Sequence, residues 1–110
     1  MPPTAQAAVV VLYHQPEDPA AFERYYADTH VPLVERHAAE IGFTRAELAK
    51  FTSSLDGSAP PYYRMAELWF SSEADLKRGI GTAGFRAVAA DLENFATGGV
   101  TAGITVETKP

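Results

Sequence analysis

Two segments of this chain predict β-strands that are apolar on both faces, and this feature limits the folds available to it. Val9–Tyr13 is a β-branched and aromatic run with almost no polar alternation, which is typical of a strand covered on both sides. Tyr62–Ser71 places mostly apolar side chains on each face: Tyr62, Arg64, Ala66, Leu68 and Phe70 on one, and Tyr63, Met65, Glu67 and Trp69 on the other. With 110 residues the chain forms one domain, whose helices can cover only one face of a sheet. We therefore expect a homodimer that pairs through its sheet faces.

Helix signals separate these strands. Asp18 and Pro19 predict a helix start, Pro32 predicts a kink or break beside His30 and Val31, and Gly42 predicts the end. Capping signals at Ser72 and Thr82 predict two further helices, and Val100–Glu107 alternates like a strand, with Val100, Ala102, Ile104 and Val106 facing inward.

The segment Phe43–Ser54 is ambiguous because its Thr44-Arg-Ala-Glu47 spacing resembles a capping box and its composition favours a helix. Read as a helix, it leaves a three-stranded sheet with three helices. Read as a strand, it gives an α+β fold, the ferredoxin-like βαββαβ antiparallel sheet with helices on one face. The second arrangement is more regular, and we predict it. Residues 1–7 are expected to form a flexible N-terminal tail, and residues 8–108 the single domain.

Composition narrows the chemistry. The chain has no Cys, which excludes disulfides, thiolate metal sites and Cys nucleophiles, and only three His. The net charge of −5, without a basic patch, argues against nucleic-acid binding. The longest apolar run, Ala7–Tyr13, is too short to span a membrane. We expect a cytoplasmic protein with no membrane partner and no cofactor.

Three tracts resemble the EthD family in their usual order: Phe22-Glu-Arg-Tyr-Tyr-Ala-Asp-Thr-His-Val-Pro-Leu33, Ala66-Glu-Leu-Trp-Phe-Ser-Ser72 and Asp91-Leu-Glu-Asn-Phe95. The resemblance covers about Val9 to Val106. It implies a dimeric α+β barrel, in which two ferredoxin-like sheets meet and the helices lie outside, and it implies that Phe43–Ser54 is a strand. Relatives with this barrel include cofactor-independent cyclases, isomerases, small monooxygenases and haem-active enzymes, so the resemblance leaves the reaction open.

His30 is the main catalytic candidate. An imidazole titrates near neutral pH, and the interrupted helix could direct this ring into a space between helix and sheet. The alternative is a structural His that bonds a carbonyl freed by Pro32. Tyr26, one turn earlier, is the second catalytic candidate, because its hydroxyl could polarise a substrate carbonyl.

The substrate-binding candidates are Tyr13, Tyr62, Tyr63 and Glu67. Each tyrosine could instead be a core aromatic, and Glu67 could form a structural pair with Arg64 or Arg86. A metal site built on His30 and His37 with Glu40 or Glu67 is disfavoured because Pro32 disturbs the alignment. His14 is expected at a cavity rim or in solvent.

Three functions remain open. The first is a cofactor-independent enzyme that cyclises or isomerises a hydrophobic carbonyl compound, with His30 as acid and base. The second is a non-catalytic accessory or binding protein for a small hydrophobic ligand in an oxidative degradation pathway. The third is a haem- or oxygen-handling relative of the small monooxygenases.

Overall fold

The computed structural model describes residues 5–108, which form a four-stranded sheet with helices. Residues 1–4 of the predicted tail lie outside this range, and the first strand begins at Ala7, the last residue of that tail. The elements in chain order are β1 (Ala7–Tyr13), α1 (Pro19–Tyr25), a π-helical turn (Tyr26–His30), α2 (Val31–Arg36), α3 (Ala38–Ile41), β2 (Arg45–Lys50), β3 (Arg64–Phe70), α4 (Glu73–Ile80), α5 (Ala83–Asp91), a 3-10 turn (Leu92–Asn94) and β4 (Val100–Val106).

All strand pairs are antiparallel, in the order β2-β3-β1-β4. Val9 at the centre of β1 lies opposite Leu68 of β3 and Ile104 of β4. The ferredoxin-like α+β prediction is therefore confirmed. The ambiguous segment is a strand, because β2 pairs along its whole length with β3 and this pairing outweighs its helix propensity.

Side chains cap the helices where the sequence predicts. The carboxylate of Asp18 and the hydroxyls of Ser72 and Thr82 each accept a bond from a backbone N–H three residues later. Gly42 ends α3 with φ of 88°, a left-handed conformation that glycine adopts without strain.

The break predicted at Pro32 is a widened turn rather than a gap. Val31 donates its backbone N–H to the carbonyl of Tyr26, five residues earlier, and α2 continues directly from this π-helical turn. Pro32 has no N–H, and in a regular helix its ring would clash with the carbonyl of Asp28, so one wide turn relieves the conflict. The turn contains both Tyr26 and His30.

The helices cover one face of the sheet, and the buried core between them has two parts. The aliphatic cluster consists of Ala7, Val9, Ile41, Leu68, Phe70, Leu76 and Val88. The aromatic cluster consists of Tyr13, Phe22, Tyr26, Tyr63 and Phe95. Val11 packs against both clusters, so they form one continuous layer.

We call the opposite side of the sheet the open face, because none of the described helices packs on it. Val10 and Leu12 of β1 and Met65 and Trp69 of β3 share this face and are only half-buried. The apolar character predicted for the second face is therefore present in β1 and β3. Within residues 5–108, no helix is both long and apolar enough to cross a membrane.

Two details differ from the sequence prediction. Val100, Ile104 and Val106 of β4 remain 36%, 47% and 41% exposed, because β4 is an edge strand beyond the helix layer. The alternation predicted from Tyr62 begins only at Arg64. Tyr62 packs instead on His14, while Tyr63 packs beneath α1.

Candidate functional site

A cavity of about 500 Å³ lies between the helix layer and the sheet, within the size range of ligand sites. Its wall is almost entirely apolar and comes from all four strands and from the helices that cover this face of the sheet. The polar side chains in the lining are Tyr13, Tyr26, His30 and Glu35, and Glu35 is exposed at the solvent side. A ligand inside therefore meets an apolar wall with very few polar groups.

The ring of His30 is hydrogen-bonded to the carboxylate of Asp91. The ring is 4% exposed, and Nδ1 lies 2.9 Å from Oδ2 of Asp91 at the end of α5. The other oxygen of Asp91 accepts bonds from the Tyr25 hydroxyl at 2.6 Å and the Asn94 amide at 2.9 Å. The carboxylate thus accepts three hydrogen bonds, and the partner of the His30 Nδ1 is this carboxylate rather than a carbonyl freed by Pro32.

These bonds determine which nitrogen of His30 carries the proton. Burial raises the pKa of Asp91, but the hydrogen bonds from Tyr25, Asn94 and His30 outweigh it and leave the pKa below its ordinary value. An ionised carboxylate can only accept, so Nδ1 of His30 donates. In the neutral ring Nε2 then carries a lone pair. It makes no hydrogen bond within residues 5–108, and the ring lines the cavity.

Tyr26 supplies the second polar group. Its side chain is 4% exposed, and its hydroxyl is buried without a hydrogen-bond partner among the described residues. Its ring stacks on His30 at a centroid distance of 5.9 Å, because the π-helical turn places both on one side. Burial raises the pKa of Tyr26, so the phenol keeps its proton and can donate.

A partly buried ion pair also contacts Tyr26. The guanidinium of Arg64 lies 4.9 Å from the centroid of the Tyr26 ring and forms two hydrogen bonds to Glu23, at 2.9 and 2.6 Å. The bonds from Arg64 lower the pKa of Glu23, so the pair stays ionised. Arg64 therefore pairs with Glu23 and not with Glu67 as predicted.

The predicted site residues divide into two groups. His30, Tyr26 and Tyr13 line the cavity. Tyr63 is buried in the aromatic cluster outside the lining, and Tyr62 contacts His14 at a centroid distance of 5.4 Å.

Glu67 lies on the other side of the sheet from the cavity. It occupies the open face of β3, paired in register with Val10 of β1 and Glu47 of β2. Arg86, the second partner predicted for it, bonds the carbonyl of Gly81 instead.

The other histidines lie away from the cavity lining. His14 bonds the hydroxyl of Thr101 at 2.8 Å, and His37 lies 3.4 Å from Glu40 on the helix surface. Among residues 5–108 there is no group of three His, Asp or Glu side chains placed to hold a metal ion.

The sequence does not by itself single out Asp91 as the partner of His30. The available signal was the tract Asp91-Leu-Glu-Asn94, since residues three apart share one side of a helix. That spacing places the Asn94 amide on the Asp91 carboxylate. Nothing in the spacing predicts that the same carboxylate meets Tyr25 and His30, which lie more than sixty residues earlier in the chain.

An imidazole and a neighbouring phenol that line one apolar cavity can act together. The nitrogen can accept a proton from a weak carbon acid, and the hydroxyl can donate to the carbonyl oxygen on which charge develops. Asp91 can stabilise the imidazolium that forms. This chemistry requires only groups that the chain itself supplies.

Solved structures with this fold include proteins of varied description. A dimeric protein of unknown function and ferredoxin-like fold from Bacteroides fragilis has a TM-score of 0.66 at 10% identity, over 94% of this chain and 96% of that one. The hydroxynitrile lyase from Passiflora edulis has a TM-score of 0.69 at 12% identity, over 99% of this chain and 98% of that one. At such identities the likeness shows the fold alone.

Two proteins are more similar in sequence. An ethyl tert-butyl ether degradation (EthD) family protein from Bacillus halodurans has a TM-score of 0.83 at 27% identity, covering 94% of this chain and 99% of that one. An uncharacterised 11.0 kDa protein encoded in the thcB-thcC intergenic region of Rhodococcus erythropolis is 40% identical over 84% of this chain and 86% of its own length. The EthD domain model matches residues 14–99, which include both the His30 turn and Asp91. The chain belongs to the EthD family.

Proposed function

We propose that this protein is a cofactor-independent enzyme that moves a proton on a small hydrophobic carbonyl compound, in a cyclisation or isomerisation. One observation carries the proposal. His30 is fixed through Nδ1 by Asp91, and its ring lines a large apolar cavity together with Tyr26, whose buried hydroxyl has no partner among residues 5–108. A buried hydroxyl without a partner costs free energy, and a substrate oxygen would satisfy it.

The proposed step begins with the substrate carbonyl oxygen accepting a hydrogen bond from Tyr26. Nε2 of His30 removes a proton from the carbon next to the carbonyl, and the electron pair moves to the oxygen as an enolate. The new imidazolium is paired with Asp91, while Tyr26 stabilises the enolate. In a cyclisation the enolate then attacks a second carbonyl carbon of the same molecule, and the oxygen of that carbonyl takes the proton from His30. In an isomerisation the enolate is conjugated with a C=C bond and takes the proton at the far carbon of that bond. In both cases His30 returns to its neutral form.

The apolar wall contributes to this step. Water is a poor occupant of a cavity with so few polar partners, and hydrogen bonds are stronger where water is excluded. Tyr13 is the third polar side chain of the lining, beside Tyr26 at a ring distance of 5.8 Å. Burial raises the pKa of Tyr13, so it too remains a donor for the ligand.

A second candidate function is a ligand-binding accessory protein without catalysis. The size and apolar wall of the cavity favour binding of a hydrophobic molecule whether or not a reaction follows. The two candidates differ in what His30 does. In the enzyme its Nε2 exchanges a proton with the ligand, whereas in the binding protein it only lines the wall.

The homodimer is proposed on the basis of the open face. Val10, Leu12, Met65 and Trp69 form an apolar area there, and the indole N–H of Trp69 is buried without a partner among residues 5–108. Sedimentation at micromolar concentration should give a dimer for the wild type and a monomer for Val10→Arg. A wild-type monomer would contradict the pairing.

Proton transfer can be tested before the substrate is known. Alkyl and aryl ketones and 1,3-dicarbonyl compounds are incubated with the protein in D₂O, and loss of the signal from the carbon-bound proton is followed by NMR. We expect exchange faster than the buffer rate for at least one compound, and a fall of about 100-fold or more in His30→Gln.

The matched control is His37→Gln, which removes an imidazole outside the lining. It should exchange at the wild-type rate. Equal rates for wild type and His30→Gln would remove His30 from the mechanism. Binding of a ketone without accelerated exchange would favour the accessory protein.

A further inference from the structure

The charged residues in the cavity lining determine which ligand charges the cavity can accommodate. Among the lining residues no Lys or Arg occurs, and the single ionisable acid is Glu35 at the solvent side. A carboxylate or phosphate that entered the apolar interior would therefore lose its hydration without meeting a cation.

Arg64 and His30, the two groups near the cavity that can carry a positive charge, are each paired with a carboxylate. Arg64 stacks on Tyr26 from outside the lining, and both of its hydrogen bonds go to Glu23. His30, if protonated, would form a net-neutral pair with the carboxylate of Asp91 at 2.9 Å. The positive charge of each group is therefore already balanced by a carboxylate and does not attract an anionic ligand. The carboxylates of Asp91 and Glu35 would repel such a ligand.

A cationic ligand is disfavoured as well. Glu35 is exposed, so a cationic group that paired with it would stay in water. The only polar groups deeper in the cavity lining are the hydroxyls of Tyr13 and Tyr26 and the imidazole of His30. An ammonium drawn inside would have to leave the carboxylate behind. The buried polar groups suit an oxygen acceptor, because the hydroxyl of Tyr26 has no partner in the described part of the chain.

We infer that the site selects uncharged ligands: a compound with one carbonyl group bound at the Tyr26–His30 end and an apolar body filling the remaining cavity. A volume of about 500 Å³ accommodates a body of roughly 15–25 non-hydrogen atoms at protein packing density. The free acid or amine of the same carbon skeleton is excluded. This inference rests on the proposed function for the identity of the site, but it concerns binding and needs no turnover.

The test uses three matched probes: acetylnaphthalene, naphthoate and aminomethylnaphthalene, all substituted at the same ring position. Dissociation constants at neutral pH are obtained from backbone amide shifts of the full chain. We expect acetylnaphthalene to bind at least about tenfold more tightly than either charged probe, with shifts at Val34, Ala66 and Leu92 of the lining.

Two variants make the charge argument specific. Leu48 lines the cavity and is 46% exposed, so Leu48→Lys adds a cation at the cavity without removing a buried side chain. Naphthoate should bind at least about tenfold more tightly to Leu48→Lys than to the wild type. Leu55→Lys adds the same charge at a fully exposed position outside the lining and should change nothing.

Several results would overturn the inference. Naphthoate or aminomethylnaphthalene binding the wild type as well as the ketone would contradict it, as would failure of acetylnaphthalene to bind in the cavity. Equal naphthoate affinity in Leu48→Lys and Leu55→Lys would also contradict it. None of these results decides the outcome of the proton-exchange experiment. If the site binds the ketone selectively but no exchange is observed, only the proposed enzymatic function is refuted.

Discussion

The aliphatic and aromatic clusters lie in the same layer between helices and sheet, yet they differ in what they require of their neighbours. The aliphatic cluster contains only apolar side chains, and Phe70 and Leu76 are fully buried there. The aromatic cluster packs equally well but brings hydroxyls with it. His30 with Asp91 and Arg64 with Glu23 lie on its two sides.

This difference separates stability from function. Apolar contacts are non-directional, so the aliphatic cluster stabilises the fold without needing specific partners. Every buried hydroxyl or charged group in or beside the aromatic cluster needs a hydrogen-bond partner, and the Tyr26 hydroxyl has no such partner in the described structure. A polar group left unpaired in an otherwise satisfied network is where a ligand is expected to bind.

The largest loss of stability is expected in the aliphatic cluster. Leu76→Ala should lower the free energy of unfolding by about 2–5 kcal/mol, because it leaves a cavity at a fully buried position. Urea titration should show a lower midpoint with an unchanged slope. The folded fraction should keep its ketone binding. A loss below about 1 kcal/mol would contradict the importance given to this cluster.

Gly79→Ala tests how closely α4 packs in the same region. A methyl group there would lie 2.5 Å from the Ile41 carbonyl oxygen and 2.8 Å from the Phe70 ring. We expect a loss of about 1–3 kcal/mol in unfolding free energy, although alanine favours a helix. Gly81→Ala is the control, since its nearest neighbour would be 3.5 Å away, and it should be neutral.

Asp91→Asn tests the polar side of the aromatic cluster. The amide cannot satisfy all three donors, so we expect a loss of about 1–2 kcal/mol near neutral pH and slower proton exchange.

The loss should also depend on pH. The pKa of Asp91 is lower in the folded protein than its ordinary 3.8, so the unfolded chain binds this proton first as the pH falls. The stabilisation is complete above the unfolded value and disappears as the pH falls through the folded one. Unfolding curves of wild type and Asp91→Asn should therefore converge in acid. A constant difference would contradict the role of the charge.

The smallest effect on stability, with the opposite sign, is expected for Tyr26→Phe. Removing a buried hydroxyl without a partner should leave stability unchanged or raise it by about 1 kcal/mol, while proton exchange falls about 100-fold. Tyr63→Phe is the control in the same cluster, because Tyr63 lies outside the cavity lining. It should retain exchange. A clear loss of stability in Tyr26→Phe would indicate a partner within the protein.

The sequence predicts local structure well because caps, glycines and strand patterns act over a few residues. Asp18, Gly42, Ser72 and Thr82 define helix ends as expected. Prediction was weaker at Phe43–Ser54, whose local preference for a helix opposes its pairing with β3. The regularity of the resulting sheet and the family resemblance, rather than the composition of the segment, favoured the strand.

The site was only partly predictable for the same reason. His30 and Tyr26 stand out because Pro32 disturbs their helix, which is a local signal. The residues that orient them come from distant parts of the chain. Asp91 accepts a hydrogen bond from His30, and the guanidinium of Arg64 packs on the ring of Tyr26. Glu67 looked like a buried acid in the pattern, but strand register places it on the open face.

The most direct test of the site is the protonation of the His30 ring, observed by long-range proton–nitrogen NMR with and without acetylnaphthalene. We predict that the neutral ring carries its proton on Nδ1 and none on Nε2, and that the Nε2 signal shifts when the ketone binds. A ring protonated on Nε2 instead, or one that does not respond to bound ketone, would contradict the assignment of His30 as the base.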